Sequence, residues 1–527
     1  MLTNSSFDIG GIERPNPETV LMGRSSGVLL HISSLPSEHG IGDMGEAAYS
    51  FAKNLRLSGQ KYWQILPLNP SNPHAGESPY FSSSAFAGNP LLIDLRQLVV
   101  AGFIQQNDIR VPRGLPVDSI DFGRVREFKV NVLYQAAKFF LQGQVGEDYI
   151  DFCNDHDFWL DDFSLFTALQ SRYKQVSWSD WPEALRDRRA DALSVAASEL
   201  ENEIEREKVV QYFFYQQWNK LKNYCNSLGL VIFGDMPIYV NYESADVWVN
   251  HNFFKLDGKR KPTAVSGVPP DYFSATGQLW NNPVYDWGAL HKDNFQWWVK
   301  RMEALFKCFD VVRIDHFRGL VQYWEVPAGE CTAINGSWQR VPTEGLFSAL
   351  LDALPHFPVV VEDLGIITDD VVAIKDAHKF PGMLILQFAF EEGNSDEKNP
   401  YLPRNHIENA LAYLGSHDNT TAKDWFDTAS PEVQKNILAN VPVAESVGSH
   451  ISDQLIALLM SSKANIAIVT VQDLLGLPGS ARMNNPASND GNWRWRLSAQ
   501  QFEALPFGYL GELSKRFRRD HCYPAAK

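Results

Sequence analysis

The sequence predicts an α/β fold: eight parallel strands closed into a (β/α)8 TIM barrel, with helical and loop insertions between barrel strands and no separate C-terminal β-domain. Three observations predict it. Eight short runs are rich in Val, Ile and Leu and nearly continuous in apolar residues, as strands buried on both faces of a parallel sheet must be. Helical patterns lie between many of these runs, and repeated alternation suits a closed barrel better than an open sheet. Five of the runs end in polar residues, and the C-terminal strand ends of a barrel meet at one mouth.

The elements follow in order. SSGVLLHISS (25–34) is the first run, and a helical pattern at 45–59 leads to the second, QKYWQILPL (60–68). About 160 residues separate it from the third, LGLVIFGDMPIYV (228–240), and nearly 70 separate the third from the fourth, FDVVRIDH (309–316). Simple βα connections are far shorter. Insertions are therefore expected over about 69–227 and 241–308, within one catalytic domain spanning 1–527. In the first insertion, 183–220 reads as helix, charged and then aromatic, its alternating charges forming a solvated face. Helical patterns at 295–308 and 343–354 flank the fourth run and precede the fifth, FPVVVEDLG (357–365). At 368–378 Thr368 marks a helix start, with Asp369 and Asp370 in the first turn, where a capping side chain and acids satisfy free N–H groups. MLILQFAF (383–390), LAYLGSHD (411–418) and NIAIVTVQDLL (465–475) complete the eight, and about 50 residues remain. The chain shows no internal repeat and no low-complexity linker.

Composition narrows the function. The 527 residues carry a formal net charge of −16, which argues against general nucleic-acid binding and against an anionic membrane surface. No run approaches the ~18 apolar residues of a membrane span. The polar N-terminal stretch, MLTNSSFDIGGIERPNPETV, resembles neither a signal peptide nor a transit peptide, so a cytoplasmic location is expected. Five scattered cysteines without a C-x-x-C fit a reducing compartment and no structural zinc. Dinucleotide and phosphate-loop signatures are missing, so no cofactor is expected. Acid-rich loops with metal-ligand spacing are missing too, so no metal is expected and activity should survive chelation.

The polar strand ends carry the chemistry: Asp235, Arg313 with Asp315, Glu362, His417 with Asp418, and Gln472 with Asp473. One strand-end Asp alone is more often a helix cap or a surface residue. Recurrence on several strands points to carboxylates meeting in a cleft. Such a cluster can hold a divalent ion. Without a metal it suits glycosidic cleavage, which needs one carboxylic acid and one carboxylate across the scissile bond. Crowded carboxyls raise one another's pKa, leaving a proton donor near neutral pH. Arg313 lies on the same side of its strand as Asp315 and should hold it ionised, which makes Glu362 the better donor. His417 is either a donor to a substrate hydroxyl or a packing histidine. In the Pro/Gly-rich segment 267–287, Tyr272, Phe273 and Trp280 fall outside any core-like period. Their flat faces suit pyranose rings, and a loop over the cleft can exclude water.

These residues sit in motifs that closely resemble the 4-α-glucanotransferases of glycoside hydrolase family 77. The motifs are SSGVLLHISSLPSEHGIGD, LPLNPSNPHAGESPYFSSSAFAGNP, GDMPIYV, GVPPDYFSATGQLWNNPVYDW, VRIDHFRG, VEDLG, GSHDNTT and RMNNPASNDGNWRWR, spread from about 24 to 497. The resemblance implies a retaining transfer of α-1,4-glucan segments between maltooligosaccharides. It makes Asp315 the nucleophile, Glu362 the general acid and base, and Asp418 the acid that binds sugar hydroxyls. It implies sugar contacts by Tyr80, Asp235, Tyr272, Phe273, Gln278, Trp280, Arg313, His316, His417 and Asn484. A retaining site requires the Asp315 and Glu362 carboxyls about 5–5.5 Å apart. Two departures from the family pattern stand out. Glu391 and Glu392 follow LQFAF where Asp is usual, and Ala487 replaces a glycine in Met483-Asn484-Asn485-Pro486-Ala487. A glucan hydrolase of the wider clan and a non-catalytic glucan-binding barrel are the alternatives.

Overall fold

Every one of the eight apolar runs folds as a strand. The computed structural model describes residues 15–270, 274–390, 397–441, 450–488 and 490–521. In chain order the strands among them are β1 (Ser25–Leu29), β2 (Tyr62–Gln64), β3 (Val231–Met236), β4 (Ala264–Val268), β5 (Gln278–Pro283), β6 (Val311–Ile314), β7 (Gln322–Pro327), β8 (Ser337–Arg340), β9 (Val359–Val361), β10 (Gly382–Ile385), β11 (Ala410–Tyr413) and β12 (Ile466–Thr470). Eight of them form one parallel sheet in the order β10-β11-β12-β1-β2-β3-β6-β9. The Val361 N–H donates to Pro381 O, just ahead of β10, at 2.9 Å. That bond brings the two edges together and closes the barrel.

The apolar runs read as strands because both faces are covered: β1, β3 and β12 are buried at every position. Gly234 allows the closest approach near the site. A Cβ there would fall 2.2 Å from Cγ of Phe309, whose ring packs against the strand that carries Asp235. Helices Glu46–Leu57, Gln296–Cys308, Thr343–Ala353 and Asp369–Ala377 match the helical patterns. Thr368 is the N-cap of the last, but its side chain does not cap the helix; the hydroxyl donates to Asp370 Oδ1 at 2.5 Å.

The expected helix at 183–220 is corrected to three pieces, Glu183–Arg186, Ala190–Glu199 and Glu201–Ser227. The first break falls at Arg188, whose φ of 56° is left-handed. There its guanidinium lies 4.2 Å from the Trp248 ring and 2.6 Å from Asp162. The charged face is also less solvated than expected, since Glu207 is buried and accepts from Tyr134 Oη. Glu201–Ser227 packs against Phe122–Gln142 and Asp157–Arg172 in a helical layer beside the barrel.

A second sheet was not expected. β5, β4, β7 and β8 pair antiparallel in that order. Gln278 and Trp280 thus lie on a strand, not in a loop. Half-exposed strands with Trp, Asn and Pro lack the continuous apolar run that marks a parallel strand. Among the described residues no helix is long and apolar enough to cross a membrane.

Candidate active site

Strand periodicity places the first acid. Arg313 and Asp315 project from the same side of β6, and Arg313 Nη2 donates to Asp315 Oδ1 at 2.8 Å. Nη1 of the same group donates to Asp235 Oδ2 at 2.7 Å. Asp235 is the register partner of Arg313 across β3 and β6, and its side chain is 0% exposed. One guanidinium is thus divided between two carboxylates. Burial lowers the Arg313 pKa, but Asp235 and Asp315 outweigh it and hold it well above its usual value.

Arg313 pulls the Asp315 carboxyl toward its ionised form, as expected, but burial opposes it. Burial pushes the Asp315 carboxyl up to about 8; Asp235, Glu362 and Asp418 add to the rise, and half a guanidinium does not cancel it. Glu362 also rises, through burial first, against the pull of Arg313 and of the N–H groups of Leu364 and His316. Two neighbouring carboxyls whose ionisation is disfavoured by burial titrate as a pair, not singly.

Backbone conformation joins Glu362 to Asp315. His316, the next residue, is left-handed at φ 48°, which turns its N–H toward Glu362 Oε2 at 2.8 Å. Glu362 Oε1 accepts the Leu364 N–H at 2.9 Å, and Glu362 N itself donates to Ile314 O at 3.0 Å. Trp280 reaches this corner from β5. Its ring stands edge-on to His316, centroids 4.7 Å apart, and its Nε1 donates to Gln278 Oε1 at 3.2 Å. Burial lowers the His316 pKa to about 4, so the ring is neutral.

On the other side, Tyr80 Oη donates to Asp235 Oδ2 at 2.7 Å and lies 2.8 Å from His417 Nε2. The two rings stack at 12°, with centroids 5.3 Å apart. The tyrosine proton goes to the carboxylate, which only accepts, so His417 Nε2 must be the donor to Tyr80. Burial lowers the His417 pKa and keeps the ring neutral. Its Nε2–H is committed to Tyr80, not turned to the open cleft. Asp418 follows, with its side chain 40% exposed. Asn484 Nδ2 donates to Asp418 Oδ1 at 2.7 Å, so Asn484 stands behind an acid as well as near the cleft.

Asp473 does not join the group. Its Oδ1 accepts from Ala422 N at 2.7 Å, at the start of helix Ala422–Thr428. Gln472 Nε2 donates to Ala481 O at 3.3 Å. Tyr272, Phe273, Glu391 and Glu392 lie outside the described residues. Ala487 carries no left-handed strain; its N–H donates to Asn485 Oδ1 at 3.2 Å, a turn that needs no glycine.

Sequence reasoning missed Trp493, whose ring lies 5.7 Å from Tyr80 and 6.0 Å from His417. It also missed a buried group in which donor atoms of His39, Asp43 and Asp94 lie within 4.8 Å of one another. There the fully buried Lys129 sets its Nζ 3.8 Å from Asp43 Oδ2, so an ammonium already balances the carboxylates.

A (β/α)8 barrel with interacting carboxyls at its C-terminal mouth defines the class: a barrel enzyme built for acid–base chemistry between carboxylates. The comparisons narrow it further. The profile of glycoside hydrolase family 77, described as 4-alpha-glucanotransferase, matches residues 30–501. The chain is 42% identical over 484 residues to the 4-alpha-glucanotransferase of Aquifex aeolicus, covering 92% of this chain and 97% of that one. It is 43% identical over 489 residues to the chloroplastic/amyloplastic enzyme of Solanum tuberosum, covering 92% and 84%. The solved amylomaltase of Streptococcus agalactiae in complex with acarbose superposes with a TM-score of 0.90 at 36% identity, covering 94% of this chain and 100% of that one. The chain therefore belongs to glycoside hydrolase family 77, the 4-alpha-glucanotransferases, and is an enzyme of that type.

Proposed function

We propose that this enzyme moves segments of α-1,4-glucan between maltooligosaccharides by a retaining double displacement. The observation that carries the reading is the link between Asp315 and Glu362. The N–H of the residue after Asp315 is hydrogen-bonded to the Glu362 carboxyl at 2.8 Å, so the two acids share one corner of one cleft.

In the first step Glu362 gives its proton to the glycosidic oxygen as an Asp315 oxygen attacks the anomeric carbon. The C–O bond to the leaving chain breaks, and a glycosyl ester of Asp315 forms. In the reactive form the pair carries a single proton, on Glu362, and Asp315 attacks as the carboxylate that Arg313 Nη2 holds at 2.8 Å. In the second step Glu362 takes the proton of an acceptor 4-hydroxyl. That oxygen attacks the same carbon, and the ester bond breaks. Two inversions return the α configuration. Asp418 holds sugar hydroxyls, and Tyr80, Asp235, Arg313, His316, His417, Gln278 and Trp280 line the subsite. Tyr272 and Phe273 belong to the proposed sugar contacts too.

Transfer and hydrolysis share the ester and differ in which oxygen reaches it. Incubation with maltotriose should give a ladder of longer and shorter maltooligosaccharides plus glucose. Shorter sugars alone, with one new reducing end per cut, would establish hydrolysis instead. Asp315→Asn should lower kcat by several orders of magnitude while glucan binding persists; unchanged turnover excludes Asp315 as nucleophile.

A further inference from the structure

We propose that Arg482 is a positioning residue for Asp418, acting through a loop whose far end is fastened by Trp493. The proposal rests on the reading of Asp418 as the acid that holds sugar hydroxyls at the breaking bond.

Asp418 lies on a turn beyond β11, where its own N–H reaches Ser416 Oγ only at 3.3 Å. A polar side chain so exposed needs outside restraint to keep one geometry, because a displacement of about 1 Å at a reacting centre can cost ~10²-fold in rate. Arg482 and Asn484 supply that restraint. The Asn484 N–H donates to His417 O at 3.0 Å, and Asn484 Nδ2 donates to Asp418 Oδ1 at 2.7 Å. Arg482 then holds both parties: Nη2 donates to Asp418 O, and Nε donates to Asn484 O at 2.6 Å. A planar guanidinium fork sets the angle between the two carbonyls. It thereby fixes the acid and the amide that orients its carboxylate as one body.

The loop is tied down at its other end. The Trp493 N–H donates to Met483 O at 2.7 Å, and Asn492 both accepts from Asn485 N at 2.8 Å and donates to Asn485 O at 3.2 Å. Trp493 is left-handed at φ 67°, a conformation that bulky residues avoid unless their surroundings over-determine it. Here the strained backbone turns the indole onto His417 and Tyr80. The same loop therefore steadies His417 by its ring and Asp418 by its polar atoms.

A double-mutant cycle tests this, with α-maltotriosyl fluoride as donor so that slow variants stay measurable. R482A should lower kcat about 10²-fold with KM nearly unchanged, and should have no further effect in a D418A background, where the group it positions is gone. R482K keeps the charge but not the fork, so it should restore only part of kcat; if R482A does not fold, the same cycle is run with R482K. Wild-type kcat in the arginine variant, or an equal loss with and without Asp418, overturns the proposal. Wild-type turnover in D418A alone overturns the reading of Asp418 beneath it, whatever Arg482 does.

Discussion

Arg313 answers for two carboxylates at once, and the pH behaviour of the site follows from that division. Asp235 takes one arm of the guanidinium at 2.7 Å and Asp315 the other at 2.8 Å. Asp235 also stands among the negative neighbours that raise Asp315. Asp235→Asn removes that charge and leaves the cation to Asp315 alone. Losing a like charge favours the ionised carboxyl, so the Asp315 pKa should fall and the acid limb of the kcat/KM profile should move to lower pH. A limb that stays in place or moves up would contradict the electrostatic account. The spacing of Arg313 and Asp315 is legible in the sequence because strand side chains repeat every second residue. The third member was legible only as a strand-end acid, since its contact spans 78 residues of chain.

Strands and helices differ in how plainly they announce themselves. Parallel barrel strands are covered on both faces, so their apolar runs are unbroken. The antiparallel strands β5, β7 and β8 are partly exposed, so their pattern hides among loop residues although β5 delivers Trp280 to the site. Asp473 shows the converse: an acid at the end of β12 that serves the start of a helix instead of chemistry. Burial raises its pKa to about 6. A raised folded-state pKa means that the folded chain binds the proton more tightly than the unfolded one. The stability present below about pH 4 is lost as pH rises toward 6. Asp473→Asn keeps an acceptor and does not titrate. Its melting temperature relative to wild type should therefore climb between pH 4 and 7, by up to about 3 kcal/mol in stability terms, a shift of roughly two units at 1.36 kcal/mol each. A constant difference would show that Asp473 is already compensated.

At the scale of the whole molecule, the end opposite the site is sealed by Arg519. Fully buried, it donates to Ser25 O, Asn465 O, Ser462 O and Met460 O at 2.7–3.1 Å, spanning the starts of β1 and β12. Arg519→Ala takes a donor from the Ser25 and Asn465 carbonyls and leaves Ser462 O and Met460 O to Arg24, and should cost about 3 kcal/mol, read as a lower melting temperature. Turnover at 25 °C should persist, because barrel chemistry resides at the other end of the strands; equal loss of both would tie the seal to catalysis. By itself the sequence determined the barrel, its eight strands and the three acids that end them, because burial on two faces and strand periodicity are local properties written in residue order. Only the tertiary structure decided that one guanidinium serves Asp235 and Asp315, that Asp315 is raised rather than held down, that Trp280 rides on a second sheet, and that Arg482 and Trp493 brace the third acid. Each of these depends on distances between segments far apart in the chain and on how much water the fold leaves around them.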